Sequence, residues 1–185
     1  MLLHRTVLDT PIGPLTIIAS DIGVRAVLWP GDDAAGRVTV HDEVRDAAGD
    51  ADDRDGDAGD RDADDRAHAV LAAATAQLTE YFAGTRTEFD LPLDAEGTPF
   101  QHAVWDVLRT IPYGTTISYG TQARELGDAR KARAVGSANG RNPISVIVPC
   151  HRVVGADGSL TGFAAGTDVK AWLLDHEQRI LARSR

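Results

Sequence analysis

The chain has 185 residues, 43% of them apolar, and a formal charge of −9. No apolar run approaches the roughly 20 residues of a membrane-spanning helix. The start, Met1-Leu2-Leu3-His4-Arg5, meets charge too early for a secretory signal, and the single cysteine, Cys150, excludes an internal disulfide or a multi-cysteine zinc site. A cytoplasmic protein of one or two domains is therefore expected.

In chain order, residues 2–9, 15–20 and 24–29 predict three short strands, with turns at Pro11-Ile12-Gly13-Pro14 and Asp21-Ile22-Gly23, and hence an antiparallel meander. Residues 42–66 follow, rich in Asp, Gly, Ala and Arg, with 12 acidic and 4 basic residues. So little apolar surface predicts a disordered, solvated insert, in preference to a cation-binding or DNA-mimicking tail. Helical spacing of Val70, Leu71, Ala74, Leu78, Tyr81 and Phe82 predicts a helix over 67–83, ended by Gly84, with a further strand at 86–93.

The second half has a different balance: residues 98–185 hold 11 basic and 7 acidic residues. For a polyanionic partner, the sign of the contacting face matters more than the chain average. Thr98, Pro99 and Gln101 form a helix start with a capping box, followed by the apolar stripe Phe100, Val104, Val107, Leu108 and Ile111 and a stop at Pro112-Tyr113-Gly114. Short helices at 118–126 and from Asp128 to Asn139-Gly140, separated by Gly127, fit a helix-turn-helix. Residues 144–148 (ISVIV) predict a buried strand, and Asp168 to Leu181 a final helix.

Three stretches carry chemistry. In "ARKARAVGSANG", small residues sit among Lys131, Arg133 and Arg141. Such a helix suits a minor groove only about 6 Å wide, and it suits equally well close packing on a neighbour. In "IVPCHRVVG", His151 and Arg152 follow the cysteine. Thiolate is the nucleophilic form of cysteine, so a base or cation nearby would raise its reactivity. If the backbone there is extended, adjacent side chains diverge, which favours a bridging water over a direct Cys150–His151 bond. A lone cysteine is as readily an inert buried hydrophobe. Glu177 lies four residues after Leu173, at the edge of the stripe Val169, Trp172, Leu173, His176 and Ile180. It could orient a histidine base, although spacing alone favours a carboxylate tilted to solvent. Asn142, before Pro143, suits a turn that braces the cysteine segment.

Together, "GTPFQHAVWDVLRTIPYGTTISYG", "ARAVGSANGRNPISVIVPCHRVVG", "LTGFAAG" and "KAWLLDHE" resemble the catalytic domain of the O6-alkylguanine-DNA alkyltransferases, also called methylated-DNA–protein-cysteine methyltransferases. The resemblance covers nearly all of residues 98–177 in order, and more loosely the first half. It implies an α/β (α+β) fold: an N-terminal sheet-plus-helix domain over 1–95, containing the 42–66 insert, and a C-terminal domain over 96–185 with a helix-turn-helix and a short strand carrying the cysteine.

In function, the resemblance implies irreversible, single-turnover transfer of an alkyl group from guanine O6 in DNA to Cys150, with O4-alkylthymine left open as a second substrate. His151 would be the water-linked base, Glu177 its orienter and Asn142 the brace. Tyr119, Val153 and Ala164 would meet the substrate base. Arg133, Ala132, Gly136 and Arg141 would contact DNA, with Arg133 filling the gap left by a flipped nucleotide and the helix-turn-helix docking in the minor groove. A monomer with no cofactor or metal is expected, because the cysteines of the structural zinc found in some relatives are missing. The sequence departs from the family at Phe163 and Ala165, in a loop where Gly-Tyr-x-Gly-Gly is usual. A non-catalytic relative that binds alkylated bases is the alternative, and the presence of Cys150 argues against it. A cysteine hydrolase would need turnover, and a helix-turn-helix regulator would need sequence-specific binding.

Overall fold

A computed structural model describes residues 3–32, 44–47 and 58–183. Its contacts divide the chain into two units, Met1–Glu96 and Gly97–Arg185. In the first, β1 (Leu3–Thr10), β2 (Gly13–Ala19) and β3 (Val24–Leu28) form the antiparallel meander, and β4 (Val44–Asp46) adds parallel to β1, giving the order β3-β2-β1-β4. Leu15, Ile17 and Ala19 of β2 are fully buried, as are Ala74, Leu78 and Tyr81 of α1 (Ala58–Ala83), which packs on β1 and β2.

Two expectations need correction in this unit. The acidic 42–66 stretch is not disordered throughout: β4 lies within it, and α1 begins nine residues before 67. The rest of the stretch falls outside the described residues. Composition weighs only the apolar surface a segment can bury. A helix already nucleated on a core extends by one hydrogen bond per added residue, and acidic side chains suit its N-terminal end. Contacts that hold these turns include His4 Nε2, 3.2 Å from Asp64 Oδ1, and Arg66 Nη2, 3.5 Å from Asp21 Oδ2. The strand expected at 86–93 reduces to one bridge, Val24 to Leu93, where the Val24 amide donates to Pro92 O and the Asp94 amide to Val24 O, both at 2.9 Å. Pro92 has no N–H to extend the ladder.

The second unit opens with α2 (Pro99–Arg109). Thr98 and Gln101 form the expected capping box, and Val104, Trp105 and Leu108 are buried. Helices α3 (Tyr119–Glu125) and α4 (Ala132–Asn139) make the helix-turn-helix, with a single 3₁₀ turn, Ala129–Lys131, between them. Buried amides lock the trio. Gln122 Nε2 donates to Val104 O at 3.1 Å, Asn139 Nδ2 donates to Gln122 Oε1 at 2.8 Å, and Trp105 Nε1 donates to Ala138 O at 3.0 Å.

The segment 144–148 is buried as expected but is not a strand. It is a compact turn in which the Val148 amide donates to Ile144 O and the Ile147 amide to Ser145 O, with Val146 at φ 71°. A β-branched residue in the left-handed region is a true outlier. A short apolar run states burial but not conformation. Cys150 accordingly stands on a 3₁₀ turn, Cys150–Arg152, that leads into β6 (Val153–Val154), and not on a strand. β6 pairs in parallel with β5 (Ile117–Ser118), and α5 (Thr167–Arg183) closes the unit. Among the described residues, no helix is long and apolar enough to cross a membrane.

Candidate active site

The geometry around Cys150 begins at Asn142. Its Oδ1 accepts from the Ile144 amide at 3.0 Å, while Nδ2 donates to Val148 O at 2.8 Å and to Cys150 Sγ at 3.3 Å. One side chain thus folds the 144–148 turn and meets the sulfur of Cys150, a residue that is 8% exposed. An N–H aimed at sulfur favours the thiolate over the thiol.

Glu177 is the hub behind the cysteine. The spacing of α5 favoured a solvent-tilted side chain there. Instead the carboxylate is fully buried, because four N–H groups converge on it. His151 Nε2 lies 2.8 Å from Oε1. Arg152 donates from Nε to Oε2 and from Nη2 to Oε1, each at 3.0 Å, and the Gly114 amide donates to Oε2 at 2.8 Å. Arg152 also donates from Nη1 to Ile111 O at 2.7 Å, which ties in the end of α2. Gly114 sits at φ 68°, where other residues are strained, and a Cβ there would crowd Leu181 Cδ1, so glycine suits the position that offers this amide.

Electrostatics fix the protonation states. Burial works against the Glu177 charge but is outweighed by the hydrogen bond from His151 and by the hydrogen bonds and charge of Arg152, which bring the carboxyl down to about 2. Burial also lowers the His151 imidazole, and this outweighs the pull of Glu177. The ring is therefore neutral. An ionised carboxylate only accepts, so Nε2 carries the proton and Nδ1 is the basic lone pair. His151 Nδ1 is buried and meets no hydrogen-bonding partner among the described residues.

Tyr119 follows β5 directly as the first residue of α3, so the β5–β6 pairing brings it alongside the cysteine turn. Its hydroxyl donates to Thr161 O at 2.8 Å. Burial first, then negative charge on Cys150, raise the phenol, with the Thr161 contact opposing. Gly162, at φ 70°, would place a Cβ 2.7 Å from this hydroxyl, so glycine permits the contact. Val153 is buried and Ala164 half-buried.

On α4 the small residues divide. Ala138 and Val135 face inward, Gly136 lies against the Tyr119 ring, where a Cβ would be in ordinary contact at 3.6 Å, and Ala134 and Ser137 are exposed beside Arg133 and Arg141. Ala132 is half-buried. The helix therefore packs one face against its neighbours and leaves the other, with Arg133, exposed.

Two groups were absent from the expected site. Arg152, read from sequence as a helper by proximity, holds Glu177. Lys170 is fully buried on α5 and donates from Nζ to Val153 O at 2.6 Å and Thr161 O at 2.8 Å. Its signal was the one that flagged Glu177: Lys170, Leu173 and Glu177 share one helix face at i, i+3 and i+7. Among the described residues, no group of three or more His, Cys, Asp or Glu could hold a metal ion.

Comparison with known proteins matches both units. The family description "6-O-methylguanine DNA methyltransferase, ribonuclease-like domain" fits residues 3–95, and "6-O-methylguanine DNA methyltransferase, DNA binding domain" fits residues 99–179. A methylated-DNA–protein-cysteine methyltransferase of Mycobacterium tuberculosis is 41% identical over 182 residues, covering 96% of this chain and 93% of its own. One from Mycolicibacterium paratuberculosis is 56% identical over 110 residues, covering 60% of this chain and 67% of its own. The crystal structure of Mycobacterium tuberculosis OGT in complex with DNA aligns with a TM-score of 0.76 at 39% identity, over 97% of this chain and 94% of that one. With both units matched by the two domains of one family, and nearly the whole length by a relative at 41% identity, the chain belongs to the 6-O-methylguanine DNA methyltransferases.

Proposed function

We propose that this protein repairs DNA by moving the alkyl group of O6-alkylguanine onto Cys150, once per molecule. The observation that carries this reading is the Asn142–Cys150 contact set beside a neutral His151, whose Nε2 is held by an ionised Glu177. His151 Nδ1, through a bridging water, takes the thiol proton. The resulting imidazolium is stabilised by Glu177. The thiolate attacks the alkyl carbon in line, the S–C bond forms as the C–O bond breaks, and the departing guanine takes a proton from Tyr119. The phenolate recovers that proton from His151. The thioether has no route back.

The substrate atom lies inside the duplex, so the base leaves the stack at a cost of a few kcal/mol. The exposed edge of α4, with Arg133 and Arg141 among small residues, suits the minor groove, and Arg133 fills the vacated position. Val153 and Ala164 border the extruded base. The protein acts as a monomer in the cytoplasm.

Incubation with an O6-methylguanine duplex, followed by intact mass measurement, tests the reading. A gain of one methyl, saturating at one per chain and mapping to Cys150, is expected. An unchanged mass, or product formation beyond one per chain, would defeat it. Arg133→Ala is expected to slow transfer from duplex DNA at least about tenfold, the equivalent of about 1.4 kcal/mol, while reaction with a free O6-alkylguanine base stays within about twofold. Equal losses on the two substrates would remove Arg133 from the extrusion step.

A further inference from the structure

Thr161 O is an unusual acceptor. It takes one hydrogen bond from the Tyr119 hydroxyl and another from the Lys170 ammonium, each at 2.8 Å. The same ammonium reaches Val153 O at 2.6 Å, three residues beyond the cysteine, and stands 5.8 Å from the centre of the Tyr119 ring. A fully buried lysine is costly, and a methionine of similar length would fill the space without desolvating a charge. The lysine must therefore serve something other than packing.

We propose that Lys170 is a positioning residue for the transfer: it pins Thr161 O and Val153 O together, so that the 155–166 loop stays closed when the Tyr119 hydroxyl leaves Thr161 for the substrate. The inference rests on the proposed reaction. Of the two donors on Thr161 O, Tyr119 is the one the reaction needs elsewhere. Without Lys170, Thr161 O would lose its remaining donor just as the phenol turned. The charge has a second use. An ammonium near the ring favours the phenolate that forms when Tyr119 gives up its proton, and it also favours a thiolate on Cys150. Charge on the two groups acts in the same sense: burial lowers the Lys170 ammonium, and negative charge on Cys150 works against that lowering.

The experiment compares Lys170→Met, Lys170→Gln and Lys170→Arg with the parent protein by two measurements. The first is the pH dependence of Cys150 alkylation by iodoacetamide in the absence of DNA. Lys170→Met and Lys170→Gln are expected to raise its midpoint by about one pH unit, the scale of losing a nearby opposite charge, and Lys170→Arg is expected to keep it. The second is the single-turnover rate of methyl uptake from a duplex, with and without Tyr119→Phe. Tyr119→Phe should cost the parent at least about tenfold and cost the Lys170→Met background little.

Parent-like midpoints in both neutral variants, or additive losses with Tyr119→Phe, would overturn the proposal. Should Lys170→Met fail to fold, Lys170→Gln carries both measurements, because it keeps two N–H donors without the charge. If the parent itself takes up no methyl, the proposed reaction fails, while the iodoacetamide midpoints still judge the thiolate-favouring charge of Lys170.

Discussion

Cys150→Ala is expected to take up no alkyl group at all while still binding an alkylated duplex with parent-like affinity. The expectation is sharp because the chain offers no second thiol and because the structural cost is small. The sulfur accepts a single N–H from Asn142 at 3.3 Å, a weak acceptor's bond, and the Asn142 bonds to Val148 O and from the Ile144 amide do not involve it. The 144–148 turn therefore keeps its brace, and stability should change by no more than about 1 kcal/mol. Mass measurement and a binding titration on the same preparation check the two halves. Retained transfer would rule out the mechanism, and lost binding with intact folding would mean that the thiol contributes to recognition.

Glu177→Gln is expected to cost stability and reactivity together. At neutral pH it leaves the buried Arg152 guanidinium without its counter-charge, and breaking such a pair destabilises by about 3–5 kcal/mol. The pH dependence gives a compatible figure. Glu177 falls from an ordinary 4.5 to about 2 on folding, a difference worth about 3 kcal/mol. Because the folded value is the lower one, this stability is present in full above pH 4.5 and is lost as pH falls from there toward 2. His151 is also lowered on folding, so acidification below 6.5 removes its contribution first. Denaturant unfolding at pH 7, 5.5, 4 and 3 should show the parent weakening in two stages and Glu177→Gln with a shallower second stage, since Asp46, Asp128 and Asp157 are also lowered. Identical slopes below pH 4.5 would refute the assignment. The glutamine can also donate toward His151 Nε2 and favour the other tautomer, so Cys150 alkylation should slow by about a hundredfold or more.

The parts of the molecule that could be read from sequence are those where local chemistry and burial agree. Thr98 with Gln101, the three meander strands and the two short helices around Gly127 each carry their own start and stop. The acidic helix over 58–66 was illegible because its stability is borrowed from the apolar turns that follow. The 144–148 turn was illegible because five apolar residues say only that they are buried, while the conformation is set by one amide, that of Asn142. At the site, Cys150, His151 and Glu177 were visible as residue types. That Glu177 is buried depends on Arg152, the Gly114 amide and the end of α2, and no spacing along one helix contains that information. Lys170 was hidden by habit: a lysine on an apolar face is usually taken to reach for water.

The two-residue ladder of β5 and β6 has a mechanical meaning. On one side it passes directly into the first helix of the helix-turn-helix, and on the other it begins three residues after Cys150. The nucleophile is therefore tied by a short ladder to the surface proposed to grip the duplex. On the reading proposed above, such a tool does not reach into its workpiece, and travel falls to the damaged nucleotide.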